Sequence, residues 1–131
     1  MPIKTAINGF GRIGRTAFKI AVDKFSDQLE IIAINDLGDP KTLAHLLKYD
    51  SNYGTYENEV GFSADSISVS SSQVAAVNKI LEDKGKSYKV FAIKEPEKLP
   101  WKKLGVDIVL ECTGVLRGEA EVKKHLKAGA R

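Results

Sequence analysis

At 131 residues, with 43% hydrophobic, 28% charged and 8% aromatic positions, the chain has the composition of one folded domain, which excludes disordered and fibrous classes. Its 20 Lys and Arg against 17 Asp and Glu leave a formal charge of +3, and the doublets Lys102-Lys103 and Lys123-Lys124 are too isolated to argue for nucleic acid. Cys112 is the single cysteine, so no internal disulfide is available, and no apolar run approaches the roughly 18 residues of a membrane-spanning helix; a cytoplasmic protein without membrane contact is expected.

In chain order, Ile3 to Asn8 alternates as a short strand and stops at Gly9. The period then changes. Ile13, Ala17, Ile20 and Ala21 fall on one face of a predicted helix that runs to about Lys24. Leu29 to Ile34 is a nearly continuous apolar run, as in a parallel strand covered on both faces. Strand, helix and strand make a βαβ unit, whose crossover should be right-handed.

A second helix is predicted from Asp39 or Pro40 through Leu43, Ala44, Leu46 and Leu47, and Tyr49 to Gly54 reads as a turn. Residues 58–69 have hairpin character. Residues 70–85 start with Ser-rich capping chemistry and carry Val74, Val77, Ile80 and Leu81 at helical spacing, which predicts an extra helix. Ser87 to Lys94 alternates again, with Tyr88, Val90 and Ala92 on one side. Pro96 and Pro100 bracket a loop that carries Trp101. Val106 to Cys112 is the second strong buried-strand segment, and Glu119 to Ala128 is helical before Gly129. The fold class predicted is α/β, a doubly wound and mostly parallel Rossmann-type sheet over residues 1–131, with a hairpin and an inserted helix near 70–85.

The chemistry concentrates at Gly9-Phe10-Gly11-Arg12-Ile13-Gly14, a GxGxxG placed after a predicted strand and at the opening of a predicted helix. Asp36 follows 22 residues beyond its last glycine, at the end of the second strand. Gly9 suits a tight turn, Gly11 a close approach of backbone to a pyrophosphate, and Gly14 close helix packing. The start of the helix offers N–H groups and partial positive charge to phosphates, and Asp36 can accept hydrogen bonds from a ribose. A plain tight turn with a capping acid is the bland reading, and the coincidence of strand, helix and acid outweighs it.

Three longer strings, Ile7 to Arg15, Asn35-Asp36-Leu37 and Leu43 to Ser51, resemble phosphorylating glyceraldehyde-3-phosphate dehydrogenases in order and spacing. So do Trp101, Gly105 to Val109, Glu111 to Val115 and Ala128 to Ala130. The resemblance implies an NAD site formed by Asn8, Gly9, Phe10, Gly11, Arg12, Ile13 and Gly14, by Asn35, Asp36 and Leu37, and by Lys94, Thr113 and Gly114. Arg12 and Ile13 would lie at the pyrophosphate, Asp36 at the ribose, and Thr113-Gly114 at the adenine or nicotinamide side. It also implies a homotetrameric parent enzyme of glycolysis.

The chain departs from the family pattern in three places. Residues 70–85 read as an insertion, Lys94 stands where an arginine often serves the adenine side, and Leu116 stands where a phenylalanine commonly packs on the adenine. The family's nucleophilic cysteine, in a Ser-Cys-Thr-Thr-Asn run, and its histidine base would lie beyond Arg131. The expectation is therefore an NAD domain without its catalytic half, unable to turn over alone. Cys112, at the end of an apolar strand beside Glu111, is read as structural. His45 is assigned to packing and His125 to a surface helix. Erythrose-4-phosphate dehydrogenase shares much of this half, and an NAD-responsive module without catalysis is the alternative from another class.

Overall fold

The computed structural model describes residues 2–50, 54–70, 86–114 and 118–131. They divide into two compact units, residues 1–37 with 91–131, and residues 38–90.

The first unit begins with the predicted βαβ. Strand β1 (Ile3–Asn8) leads into helix α1 (Arg12–Lys24) and returns as β2 (Leu29–Asn35), parallel to β1 in register from Ile3 with Leu29 to Asn8 with Asn35. The register slips by one between Thr5 and Ala6. The helix face differs from the expected one. Gly14, Phe18 and Ala21 are buried, whereas Ile13 is 72% exposed and Ile20 is 45% exposed. Gly14 fixes the rotation, because a Cβ there would stand 2.1 Å from the Gly9 carbonyl oxygen. The side facing β1 is the one that tolerates contact at that range, and Phe18 lies one turn along it. Phe18 meets Phe10 edge to face at 5.5 Å.

The second unit starts with α2 (Pro40–Lys48), which has Pro at its first turn and the Asp39 carboxylate accepting from the Thr42 N–H at 2.8 Å. Tyr49 to Gly54, read as a turn, includes a short antiparallel pair, β3 (Tyr49–Asp50) with β4 (Gly54–Thr55). The predicted hairpin is β5 (Glu59–Phe62) with β6 (Ser66–Ser70), and β6 pairs antiparallel with β7 (Lys86–Phe91). Ile67, Val69, Tyr88 and Val90 are buried on alternating positions, and Leu43, Ala44 and Leu47 of α2 are buried in the same unit. The alternation read through Ala92 ends earlier: β7 stops at Phe91 and Ala92 is exposed. The helix predicted within residues 70–85 lies outside the described residues.

The chain re-enters the first unit through a 3-10 turn (Pro96–Lys98) and α3 (Trp101–Leu104), closed by left-handed Gly105. Trp101, read as part of a loop, opens this helix and is fully buried among Ala6, Ala33, Leu99, Val106 and Ala128. Strand β8 (Ile108–Glu111) then pairs parallel with the other side of β1, Thr5 opposite Ile108 and Asn8 opposite Glu111. It is shorter and less covered than the run 106–112 predicted. Val106 is buried but precedes the strand, and Ile108 is 43% exposed. The predicted final helix is divided into α4 (Glu119–Val122) and α5 (Lys124–Lys127). Gly129, at φ +110, turns the chain so closely over Lys102 that a Cβ would lie 2.6 Å from its Cα. Together these elements form the α/β Rossmann-type fold. No helix among the described residues is long and apolar enough to cross a membrane.

Candidate functional site

The carboxyl ends of β1, β2 and β8 meet at one edge of the first unit, and the glycine turn joins them. Gly9 has φ +95, and a Cβ there would stand 2.6 Å from the Thr113 amide nitrogen, so both its torsion and its contact with the segment after β8 exclude a side chain. Gly14 is excluded by the Gly9 carbonyl. Gly11 differs from both: it is exposed, and a Cβ on it would meet nothing within 4 Å. It is also the N-cap of α1, with no side-chain cap and no acidic residue in the first turn. At α2 an aspartate occupies the corresponding place, whereas at α1 the protein leaves the helix start facing open space. Such a terminus attracts anions through its N–H groups and dipole. Arg12 and Ile13 are exposed beside it.

Asp36, one residue past β2, accepts the Phe10 backbone N–H through Oδ2 at 2.7 Å, and its own N–H donates to the Phe91 carbonyl at 2.9 Å. The acid thus ties the end of β2 to the glycine turn. Leu37 beside it is 66% exposed.

These groups border a cavity of about 450 Å³, within the range of small-molecule sites. Gly9, Gly11, Asp36, Leu37, Lys94, Pro96, Cys112 and Thr113 line it. Asn8 and Asn35 line its base but are almost wholly buried, at 3% and 5% exposure, and bind one another. Phe10 enters the site through its backbone, its ring being in the core. Gly14 acts by packing. Gly114, left-handed at φ +77, follows Thr113 at the rim. Leu116 lies outside the described residues.

Beneath the cavity runs a polar network that the residue pattern did not disclose. His125, expected on a surface helix, is 5% exposed. The cause is α5, whose opposite side carries the lysines while His125 turns inward between Trp101 and Glu111. The Trp101 indole N–H donates to His125 Nδ1 at 3.0 Å, and His125 Nε2 lies against Glu111 Oε2. Glu111 Oε2 also accepts from Asn8 Nδ2 at 2.8 Å, and its Oε1 accepts from the Thr113 hydroxyl at 2.6 Å. Burial pushes the Glu111 carboxyl up, but the hydrogen bonds from His125, Thr113 and Asn8 outweigh it and hold the group below the usual carboxylate range. Cys112 moves the other way: burial and the Glu111 charge both push its thiol up. A thiol so placed is a poor nucleophile.

This fold with this site defines a dinucleotide-binding domain. Comparison with known proteins narrows the class. The model of the family described as glyceraldehyde 3-phosphate dehydrogenase, NAD binding domain, matches residues 3–81 and 71–119, and the chain belongs to that family of NAD-binding domains. It is 46% identical over 128 residues to glyceraldehyde-3-phosphate dehydrogenase of Thermotoga maritima, covering 98% of this chain and 34% of that protein. Against the same enzyme of Lactobacillus delbrueckii subsp. bulgaricus it is 45% identical over 134 residues, covering 100% and 36%. Against that of Borreliella burgdorferi it is 50% identical over 113 residues, covering 86% and 29%. The chain thus spans about a third of the length of these curated relatives.

Proposed function

We propose that the cavity at the ends of β1, β2 and β8 holds NAD, with the pyrophosphate over Gly11 and the start of α1 beside Arg12 and Ile13, and the adenosine ribose at Asp36. Asn8 and Asn35 set the base of the site, and Leu37, Lys94, Thr113 and Gly114 form its rim. The observation that carries this reading is the contrast between the three glycines. Two are demanded by the protein's own packing, and the third, Gly11, stands in open space over a helix start with no side-chain cap. Family membership supports the same cofactor.

NAD supplies the acceptor for a hydride. In our reading, the complete protein oxidises glyceraldehyde 3-phosphate in glycolysis, as the names of the relatives suggest. The residues of this chain bind and orient the cofactor and do not perform the oxidation. Cys112 has a raised thiol and a carboxylate as its neighbour, and the Nδ1 of His125 is engaged by Trp101. Calorimetric titration of the 131-residue chain with NAD tests the proposal. One-to-one binding that Gly11→Val weakens at least roughly tenfold in a folded protein is expected, and no binding by the wild type would refute it. The same preparation given NAD, phosphate and glyceraldehyde 3-phosphate should form no NADH above the blank.

A further inference from the structure

We infer that Arg15 is a positioning residue of this site, the side chain that holds the glycine turn in the form that receives a pyrophosphate. The inference rests on the reading of the cavity as an NAD site. It concerns a residue that does not itself line that cavity.

Arg15 sits one helical turn beyond Gly11, and side chains on a helix lean back toward its N-terminus. It reaches the turn twice. Its backbone N–H donates to the Gly11 carbonyl at 2.9 Å, the first bond of α1, and its guanidinium Nη1 donates to the Phe10 carbonyl at 3.1 Å. Two successive carbonyls are thus held by one residue. The backbone bond is open to any residue but proline, whereas the second bond needs a long side chain with a donor at its end.

Phe10 is fixed on its other sides as well. Its N–H donates to Asp36 Oδ2 at 2.7 Å, and its ring lies in the core, edge to face with Phe18. A cationic and an anionic side chain therefore grip the two peptide groups that flank this one residue. The peptides are trans, and in a trans peptide the N–H lies opposite the C=O. Holding the Phe10 and Gly11 carbonyls on Arg15 accordingly fixes the direction of the Gly11 and Arg12 N–H groups. Neither N–H meets an acceptor among the described residues. These are the donors that an anion at the start of a helix uses, and a donor serves a ligand best when its direction is set before binding.

Stability explains Arg15 poorly. Its Nε is buried without a hydrogen-bond partner, and no ion pair among the described residues includes it. An orphaned buried donor opposes folding. The contact that the guanidinium does make is the one with the turn.

The test compares ligands with and without phosphates. The 131-residue chain and its Arg15→Met variant are titrated with NAD and ADP by calorimetry and with adenosine by NMR. In the variant NAD and ADP should bind roughly tenfold or more weakly, while adenosine, which carries the base and ribose but no phosphate, should bind as it does to wild type. Arg15→Lys, which returns a cationic donor to the turn, should recover part of the loss. A role in stability alone would lower the urea midpoint and weaken all three ligands by one common factor. That result, NAD binding by Arg15→Met equal to wild type, or a lysine variant no better than the methionine one overturns the inference while leaving the NAD site intact. If Arg15→Met does not fold, Arg15→Gln, polar but too short to reach the Phe10 carbonyl, takes its place with the same expected and overturning results. Failure of wild type to bind NAD or ADP overturns the site itself, and the inference with it.

Discussion

Asp36 accepts the backbone N–H of Phe10 at 2.7 Å, so the acid at the end of β2 and the turn ahead of α1 are held as one piece. A carboxylate there should favour NAD over NADP, whose 2′-phosphate would approach it. Two like charges about 4 Å apart cost roughly 4 kcal/mol at an effective dielectric near 20 and about 1 kcal/mol in bulk water. The half-open cavity lies between these limits, which corresponds to a preference on the order of tenfold to several hundredfold. Asp36→Asn keeps an oxygen for Phe10 and removes the charge, so it should narrow the preference without lowering the melting temperature. Asp36→Ser should narrow it and also cost about 1 kcal/mol of stability through the lost turn contact. Calorimetry with both cofactors at one salt concentration decides the matter, and equal affinities in wild type would show that Asp36 does not reach the ribose.

Gly9 and Gly11 should respond differently to the same added methyl group. Gly9→Ala places a Cβ at φ +95 against the Thr113 backbone, and a loss of about 2–5 kcal/mol is expected. Gly11→Ala should stay within about 0.5 kcal/mol of wild type, since its Cβ enters open space. Gly11→Val should leave the fold intact, by circular dichroism, and weaken NAD at least roughly tenfold. Urea denaturation of the alanine pair and titration of the valine variant measure these effects. Equal destabilisation by Gly9→Ala and Gly11→Ala would contradict the assignment of a close contact to Gly9 and open space to Gly11.

Acid should weaken the fold partly through Glu111. Its carboxyl lies below the usual range when folded, because hydrogen bonds to the charged form outweigh burial. The folded state therefore binds this proton less readily than the unfolded chain does. The corresponding stability is complete above the ordinary carboxylate value, roughly 4.3, and is lost as pH falls below it toward the folded value. Glu111→Gln should be less stable than wild type at pH 7, with the gap closing as pH is lowered through this window. Urea midpoints from pH 7 to pH 3 would show it, and a constant gap would argue against an ionised, hydrogen-bonded Glu111.

Cys112 should react with iodoacetamide more slowly than a free cysteine at pH 8, because burial and the Glu111 charge both favour the neutral thiol. Glu111→Gln should speed the reaction by removing one of the two causes. Labelling faster than that of a small thiol would point instead to an activated nucleophile.

The legible part of this molecule was local. The glycine turn, the acid after the second strand and the hairpin at residues 58–69 all depend on neighbours close in sequence, where spacing fixes geometry. Cys112 was read as structural from the strand it ends, and burial and the Glu111 charge push its thiol up. The illegible part depends on distant partners. Trp101 and His125 lie 24 residues apart and Asn8 and Glu111 103 apart, and no periodicity announces such pairs. His125 follows two lysines, and composition alone assigns it to the surface. The face of α1 was misjudged because Ile13 and Ile20 carry more hydrophobic area than Gly14, whereas a contact that admits no side chain set the rotation.

The meeting of Gly9 with the backbone of Cys112 and Thr113 also orders events during synthesis. The glycine turn emerges from the ribosome early, but the surface that it packs against follows about a hundred residues later, a delay of roughly 5–20 s at ordinary elongation rates. Until β8 docks beside β1, Gly9 lacks the backbone of Cys112 and Thr113 that closes over it, and Asn8 has no carboxylate to face. A nascent chain carrying the entire GxGxxG motif and Asp36 should therefore remain unable to retain NAD. Affinity should appear in one step when translation passes Thr113, rather than growing with each element added.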